Sequence, residues 1–159
     1  MQDRVSVLAG RDPGTIDARF GYGLATGPNG NVVLFGGAVG SGSNTNATYD
    51  ETWEWDGSTW AKLAPPTSPP RRTWPALAYD PRRHRVVMFG GFDTIGTRTD
   101  TTWEFDGVTW EERMPTSRPG ARAIASLACS PTRCVLVGGN SLGEAETWSW
   151  DGDDWTRIP

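Results

Sequence analysis

The chain has 159 residues, 36% of them hydrophobic and 11% aromatic, with a formal net charge of −4 and a single lysine, Lys62. That balance excludes the basic footprint of a nucleic-acid-binding protein, and no stretch approaches the roughly 20 apolar residues of a membrane helix. Twenty glycines and twelve prolines favour many short strands and turns over long helices, and the length suits one domain.

The first segment, residues 1–18, lacks the apolar run of a signal peptide. It contains Val5-Ser6-Val7-Leu8, which aligns with Trp60-Ala61-Lys62-Leu63 further along. It therefore reads as a strand that ends a preceding unit, followed by a linker. Three copies of one pattern follow, over residues 19–70, 71–118 and 119–159. Trp53-Glu54-Trp55-Asp56-Gly57-Ser58-Thr59-Trp60 returns as Trp103-Glu104-Phe105-Asp106-Gly107-Val108-Thr109-Trp110. It returns again as Trp148-Ser149-Trp150-Asp151-Gly152-Asp153-Asp154-Trp155. A spacing of 45–50 residues between copies marks a repeat array in which each repeat is one supersecondary unit.

Each repeat reads as four strands. The first covers residues 19–25, 72–79 and 122–129, with Leu24, Leu77 and Leu127 at equivalent places. Turns rich in Pro, Gly, Asn and Asp follow. The second strand is a short apolar run, residues 32–35, 86–89 and 134–137, as expected where both faces are covered. A Gly-Gly pair ends it each time: Gly36-Gly37, Gly90-Gly91 and Gly138-Gly139. There a side chain would obstruct close backbone approach. The third strand carries Trp-x-aromatic, whose rings share one face. Asp-Gly supplies the next turn, and the fourth strand opens at Trp60, Trp110 or Trp155. The recurring aromatics, Trp53, Trp55, Trp60, Trp103, Phe105, Trp110, Trp148, Trp150 and Trp155, read as sheet-to-sheet packing.

The series Arg-x-x-x-x-Leu-Ala, apolar run, Gly-Gly, Trp-x-aromatic-Asp-Gly-x-x-Trp resembles kelch repeats, in the style of bacterial kelch blades, over nearly all of residues 19–159. The resemblance implies an all-β chain of three four-stranded blades of a β-propeller, with the first strand of each innermost. Propellers have 4–8 blades. Three make a half-ring, which a second chain or further sequence would complete. Self-association of two chains gives six blades. An open arc with capped ends is the third arrangement.

The variable connections, residues 38–51, 92–101 and 140–146, fall at one end of the blades and make the candidate binding face. Arg19, Arg72 and Arg122 begin the inner strands. They read either as a ring that binds carboxylate, phosphate or sulfate groups, or as inter-blade donors to carbonyls and to Asp or Glu. Tyr22 and Trp74, a few residues on, are candidates for an aromatic ligand surface. Asp93, Arg98 and Asp100 are candidates in the second loop. Cys129 and Cys134 flank a four-residue hairpin loop and read as a disulfide or as two half-buried thiols. A disulfide would favour an oxidising, extracellular or periplasmic setting.

Kelch-type enzymes include copper radical oxidases similar to galactose oxidase and sugar-acid epimerases. The oxidases use His and Tyr ligands. This chain has one histidine, His84, beside Arg82, Arg83 and Arg85 in a turn. No Zn-type cysteine spacing, nucleophile elbow or phosphate loop occurs, so no metal site, cofactor or catalytic residue is assigned. Asp93 with Asp100, or Glu144 with Glu146, would be the carboxylates of a hydrolase or lyase. The expected function is a non-catalytic binding module for a glycan, a peptide or a protein partner. The alternatives are the propeller part of a carbohydrate-active enzyme and a purely structural assembly unit.

Overall fold

The computed structural model describes residues 11–41, 44–139 and 146–159. The strand expected at residues 5–8 lies outside the described residues. The protein is all-β. Its strands form three separate antiparallel blades, each built on a four-stranded meander, and no sheet closes on itself. Together they are an open half-ring of a β-propeller.

The first blade runs β2 (Phe20–Thr26), β3 (Val32–Ser41), β5 (Thr52–Trp55) and β6 (Trp60–Leu63). Two additions enlarge it. β1 (Arg11–Pro13), in the segment expected to be linker, pairs antiparallel with the outer strand β6, Arg11 opposite Leu63. β4 (Asn44–Thr48) pairs with the far end of β3 across a bulge at Val39 and Gly40. Much of the polar stretch expected as a loop over residues 38–51 is therefore a hairpin extension of the sheet.

The second blade runs β7 (Ala76–Asp80), β8 (Arg85–Phe89), β9 (Thr102–Phe105) and β10 (Trp110–Arg113). The third runs β11 (Ser126–Cys129), β12 (Cys134–Val137), β13 (Thr147–Trp150) and β14 (Trp155–Ile158). The inner strands β2, β7 and β11 lie side by side. β7 and β11 start later than expected from the sequence. Trp74 and Ile124, just before them, take positive φ values of 55° and 59°, in register with Gly21 at 65°.

The period-2 alternation of the strands sorts the core. Val86, Met88, Trp103 and Phe105 face the first blade and meet Val33 and Phe35 there. Their neighbours Val87 and Phe89 face the third blade and meet Leu136, Trp150 and Trp155. Each seam is locked by a polar contact from the fourth-strand tryptophan. The Trp110 indole N–H donates to Thr52 Oγ1 of the preceding blade at 2.9 Å, and Trp155 does the same to Thr102 Oγ1 at 2.9 Å. Both tryptophans are 1% exposed, so the indole N–H needs a partner and finds one.

The Gly-Gly pairs serve the same seams. A Cβ on Gly36 would sit 2.6 Å from the Arg72 carbonyl oxygen, and one on Gly90 would sit 2.2 Å from that of Arg122. The following N–H groups use this closeness: Gly37 donates to Arg72 O at 3.0 Å and Gly91 to Arg122 O at 2.9 Å. The Asp-Gly turns are held by Asp56, Asp106 and Asp151. Each Oδ1 accepts backbone N–H groups two and three residues on. For Asp151 these bonds hold the carboxyl below its ordinary value.

Candidate functional site

The three arginines that begin the repeats point into their own blades. Arg72 is 2% exposed and Arg122 1%. Each guanidinium donates to the carbonyl of the first glycine of its own Gly-Gly pair: Arg19 to Gly36, Arg72 to Gly90 and Arg122 to Gly138, at 3.3, 3.0 and 3.1 Å. The Nε groups of Arg72 and Arg122 donate to the carbonyls of Pro70 and Gly120. Of the two readings of these arginines, the geometry matches donation to carbonyls and carboxylates, made within one blade where inter-blade bonds were expected. The left-handed glycines leave carbonyls turned inward that need donors, and the planar five-donor guanidinium satisfies them.

The outer two blades balance this buried cation with one set of partners. Arg19 pairs with Glu51 at 2.9 Å, and Glu51 also accepts the Trp53 indole N–H and the Lys62 ammonium. Burial tends to raise the Glu51 carboxyl, but the bonds from Lys62, Trp53 and Arg19 outweigh it and leave the group below its ordinary value. The third blade repeats the set with Arg122, Glu146, Trp148 and Arg157. The Arg122 and Trp148 bonds hold Glu146 low as well.

In the second blade Thr101 stands where the other two have Glu, and Glu112 stands where they have Lys62 and Arg157. Arg72 then bonds Thr101 Oγ1 at 3.0 Å, and the Trp103 indole N–H is buried without a hydrogen-bond partner among the described residues. Burial pulls Arg72 down to about 10, with Glu112 opposing the shift. The sequence signal for this arrangement was the residue two before the first Trp of each repeat.

A cleft of about 380 Å³ opens at the seam between the first and second blades, on the loop face. Phe20, Trp74 and Phe92 supply its aromatic walls. Thr48, Thr73, Thr94 and Asp93 supply polar groups, and Ile95 and Gly96 close one side. Backbone conformation builds it. The left-handed turn at Trp74 carries its N–H to Gly21 O at 2.5 Å and lays the indole over Gly21, where a Cβ would be 3.0 Å from Nε1. The Phe20 and Trp74 rings are then 6.4 Å apart, and Trp74 stays 41% exposed. A bulky residue at positive φ is an outlier, and such strain recurs at ligand-contacting positions.

Of the candidate residues, Trp74 and Asp93 meet in this cleft. Arg98 joins them indirectly, stacking on Phe92 with its guanidinium 5.3 Å from the ring centre. Asp93 Oδ1 accepts the N–H groups of Ile95 and Thr97, which shapes the loop. Asp100 is held apart in an ion pair with Arg118 at 3.0 Å. Tyr22 is exposed on the opposite side of β2 from the seam. Glu146 belongs to the Arg122 set, whereas Glu144 and the rest of 140–145 lie outside the described residues. His84 lies in its exposed turn, Nδ1 3.0 Å from the Tyr79 hydroxyl. Cys129 and Cys134, opposite each other at the end of the β11–β12 pair, are joined in a disulfide with Cα atoms 3.9 Å apart.

Sequence reasoning missed Glu104. Its buried carboxylate accepts N–H groups from both terminal nitrogens of the Arg83 guanidinium and from the Trp150 indole, the latter at 2.9 Å across the seam. The salt bridge keeps Arg83 above its ordinary value. The signal lay in the repeat: the third copy has Ser149 at this place and carries Trp150 where the second has Phe105. No group of three or more His, Cys, Asp or Glu side chains placed to hold a metal occurs among the described residues. No protein-family model matches the chain, and no curated protein matches it.

Proposed function

We propose that this protein is a kelch-type half-propeller that acts as a non-catalytic binding module, taking a hydroxyl-rich ligand such as a glycan in the cleft between its first two blades. The carrying observation is the exposed indole of Trp74, held by a left-handed backbone turn over a cleft that also contains Phe20, Phe92, three threonine hydroxyls and the Asp93 carboxylate. Aromatic walls with a few placed polar groups are the ordinary make-up of a small-ligand site. The inner arginines donate inside their blades, which favours a hydroxyl-rich ligand over an anionic one.

The test is titration of a panel of neutral oligosaccharides and unmodified peptides, read by tryptophan fluorescence and calorimetry. An oligosaccharide should bind the wild-type chain, and Trp74→Ala should weaken it at least tenfold. Asp93→Ala should weaken it less, because one carboxylate oxygen is engaged in its own loop. Binding confined to peptides would move the reading to a peptide module. Oligosaccharide binding that survives Trp74→Ala would overturn the cleft.

A further inference from the structure

The two internal seams are made by one set of contacts, and each end of the arc presents half of that set. On the leading side of the first blade stand Leu24, Trp55 and Trp60. Their counterparts Leu77, Phe105 and Trp110 are buried against a preceding blade. Leu24 itself is 50% exposed, against 9% for Leu77. On the trailing side of the third blade stand Val137, Thr147 and Ser149, counterparts of Phe89, Thr102 and Glu104. Val137 is 40% exposed, against 1% for Phe89. Each face thus keeps an apolar side chain exposed whose counterpart is covered inside the arc.

We infer that two copies of this chain close head to tail, the leading face of each first blade seating on the trailing face of the other copy's third blade, to give a ring of six blades. Three observations select a second copy. Trp60 lies where Trp110 and Trp155 reach back to Thr52 and Thr102, and the trailing face carries Thr147 in register with those threonines.

Donors and acceptors also match across the seams. Trp150 gives its indole N–H to Glu104. Phe105 has none to give, and Glu54 in front of it accepts from Asn31 of its own blade. Trp55 again has an N–H, and Ser149 brings an acceptor hydroxyl to the matching place.

The glycines show the same vacancy from both sides. Gly36 and Gly90 lie within 3 Å of the next blade's arginine carbonyl, measured from an added Cβ, whereas Gly138 has nothing within 4 Å among the described residues. At the other end, an added Cβ on Gly107 or Gly152 would meet Asn29 or Arg83 of the preceding blade, and on Gly57 it would meet no described residue within 4 Å. Arg19 and Gly139 of the two copies then continue the Gly37–Arg72 and Gly91–Arg122 bonds. The contact is heterologous, and it closes because three blades span half the circle. This inference does not rest on the ligand reading.

The test is solution mass by light scattering, on the full chain and on two variants at end-face residues that the single arc leaves exposed. The wild type should have about twice the 17.3 kDa chain mass. Leu24→Asp and Val137→Asp should each be folded by circular dichroism and run as monomers. An equimolar mixture of the two should regain dimer, because one of its two interfaces then joins the two unaltered faces. A wild-type monomer would overturn the inference and leave the faces to other blades. So would variants that stay dimeric, loss of dimer in only one variant, or a mixture that stays monomeric.

Discussion

Trp110 and Trp60 hold the same place in adjacent blades, yet one is sealed in a seam and the other lies on an outer face against Trp55, ring centres 5.6 Å apart. The difference is the neighbour, since motif and strand are alike. A blade contributes two apolar faces, and its core is complete only when both are covered. Stability in such arrays is a sum of unit terms and nearest-neighbour terms. The inner seams hold the neighbour terms of this arc, whereas Leu24 and Val137 on its end faces stay exposed.

Truncation should break that comparison most strongly. Trp110→Ala and Trp155→Ala each remove a fully buried indole and orphan a threonine hydroxyl, at a cost of about 3–5 kcal/mol. Trp60→Ala should cost far less in a dilute, monomeric chain. Urea denaturation of the three variants reads the difference, and equal losses would mean that the end face is already covered.

Removing Glu104 comes next. Glu104→Ala leaves Arg83 and the Trp150 N–H without their buried acceptor. Breaking such a pair costs about 3 kcal/mol. Ser149→Ala, at the matching outer place, should be nearly neutral by the same denaturation.

Backbone approach gives a finer contrast. Gly90→Ala and Gly138→Ala both force alanine to a φ near +70°, which costs about 1–2 kcal/mol. Only Gly90→Ala also drives a methyl into the Arg122 carbonyl, so its loss should be at least twice as large. Gly138→Ala should become costlier once the ring assembles, seen as a lower dimer mass fraction at fixed concentration.

The charge sets sharpen a second comparison, between the middle blade and the outer two. The pair Thr101→Glu and Glu112→Lys rebuilds the first blade's arrangement. It gives the buried Trp103 N–H an acceptor and Arg72 a counter-ion. A charge-assisted bond is worth about 1.5–3 kcal/mol, from which the desolvation of a carboxylate must be subtracted. The expected result is a melting temperature about 2–4 °C higher.

The smallest effect is in acid. Glu51 has a folded pKa below its ordinary 4.5. Its contribution is therefore whole above pH 4.5 and is lost as the pH falls through the lower folded value. Glu51→Gln should flatten the decline of stability in that window and leave the neutral-pH slope unchanged.

Much of the fold could be read along the chain because its signals are local. Apolar runs, Trp-x-aromatic pairs and Asp-Gly turns each act within a few residues, and three copies in one order removed the ambiguity that a short apolar run carries alone. The strand starts were less legible. Trp74 and Ile124 sit in left-handed turns that their side chains do not favour, and bonds between inner strands, from Trp74 to Gly21 and from Ile124 to Trp74, help hold them there. The site was legible in part. Trp74 and Asp93 meet at one cleft, and Arg19, Arg72 and Arg122 follow the carbonyl-donor reading, with partners in their own blades that only the folded chain identifies.

By itself the sequence determined the repeat, the strand order and the residues that must pack between sheets, because these follow from spacing and turn chemistry. Tertiary structure alone decided which face each ring is buried against, where the arginine donors go and which two faces stay open. Those outcomes depend on groups distant in the chain: Thr52 for Trp110, Glu104 for Trp150, Gly21 for Trp74. A side chain's partners are set by what the folded chain brings beside it, and repeat position alone does not say whether anything will be there.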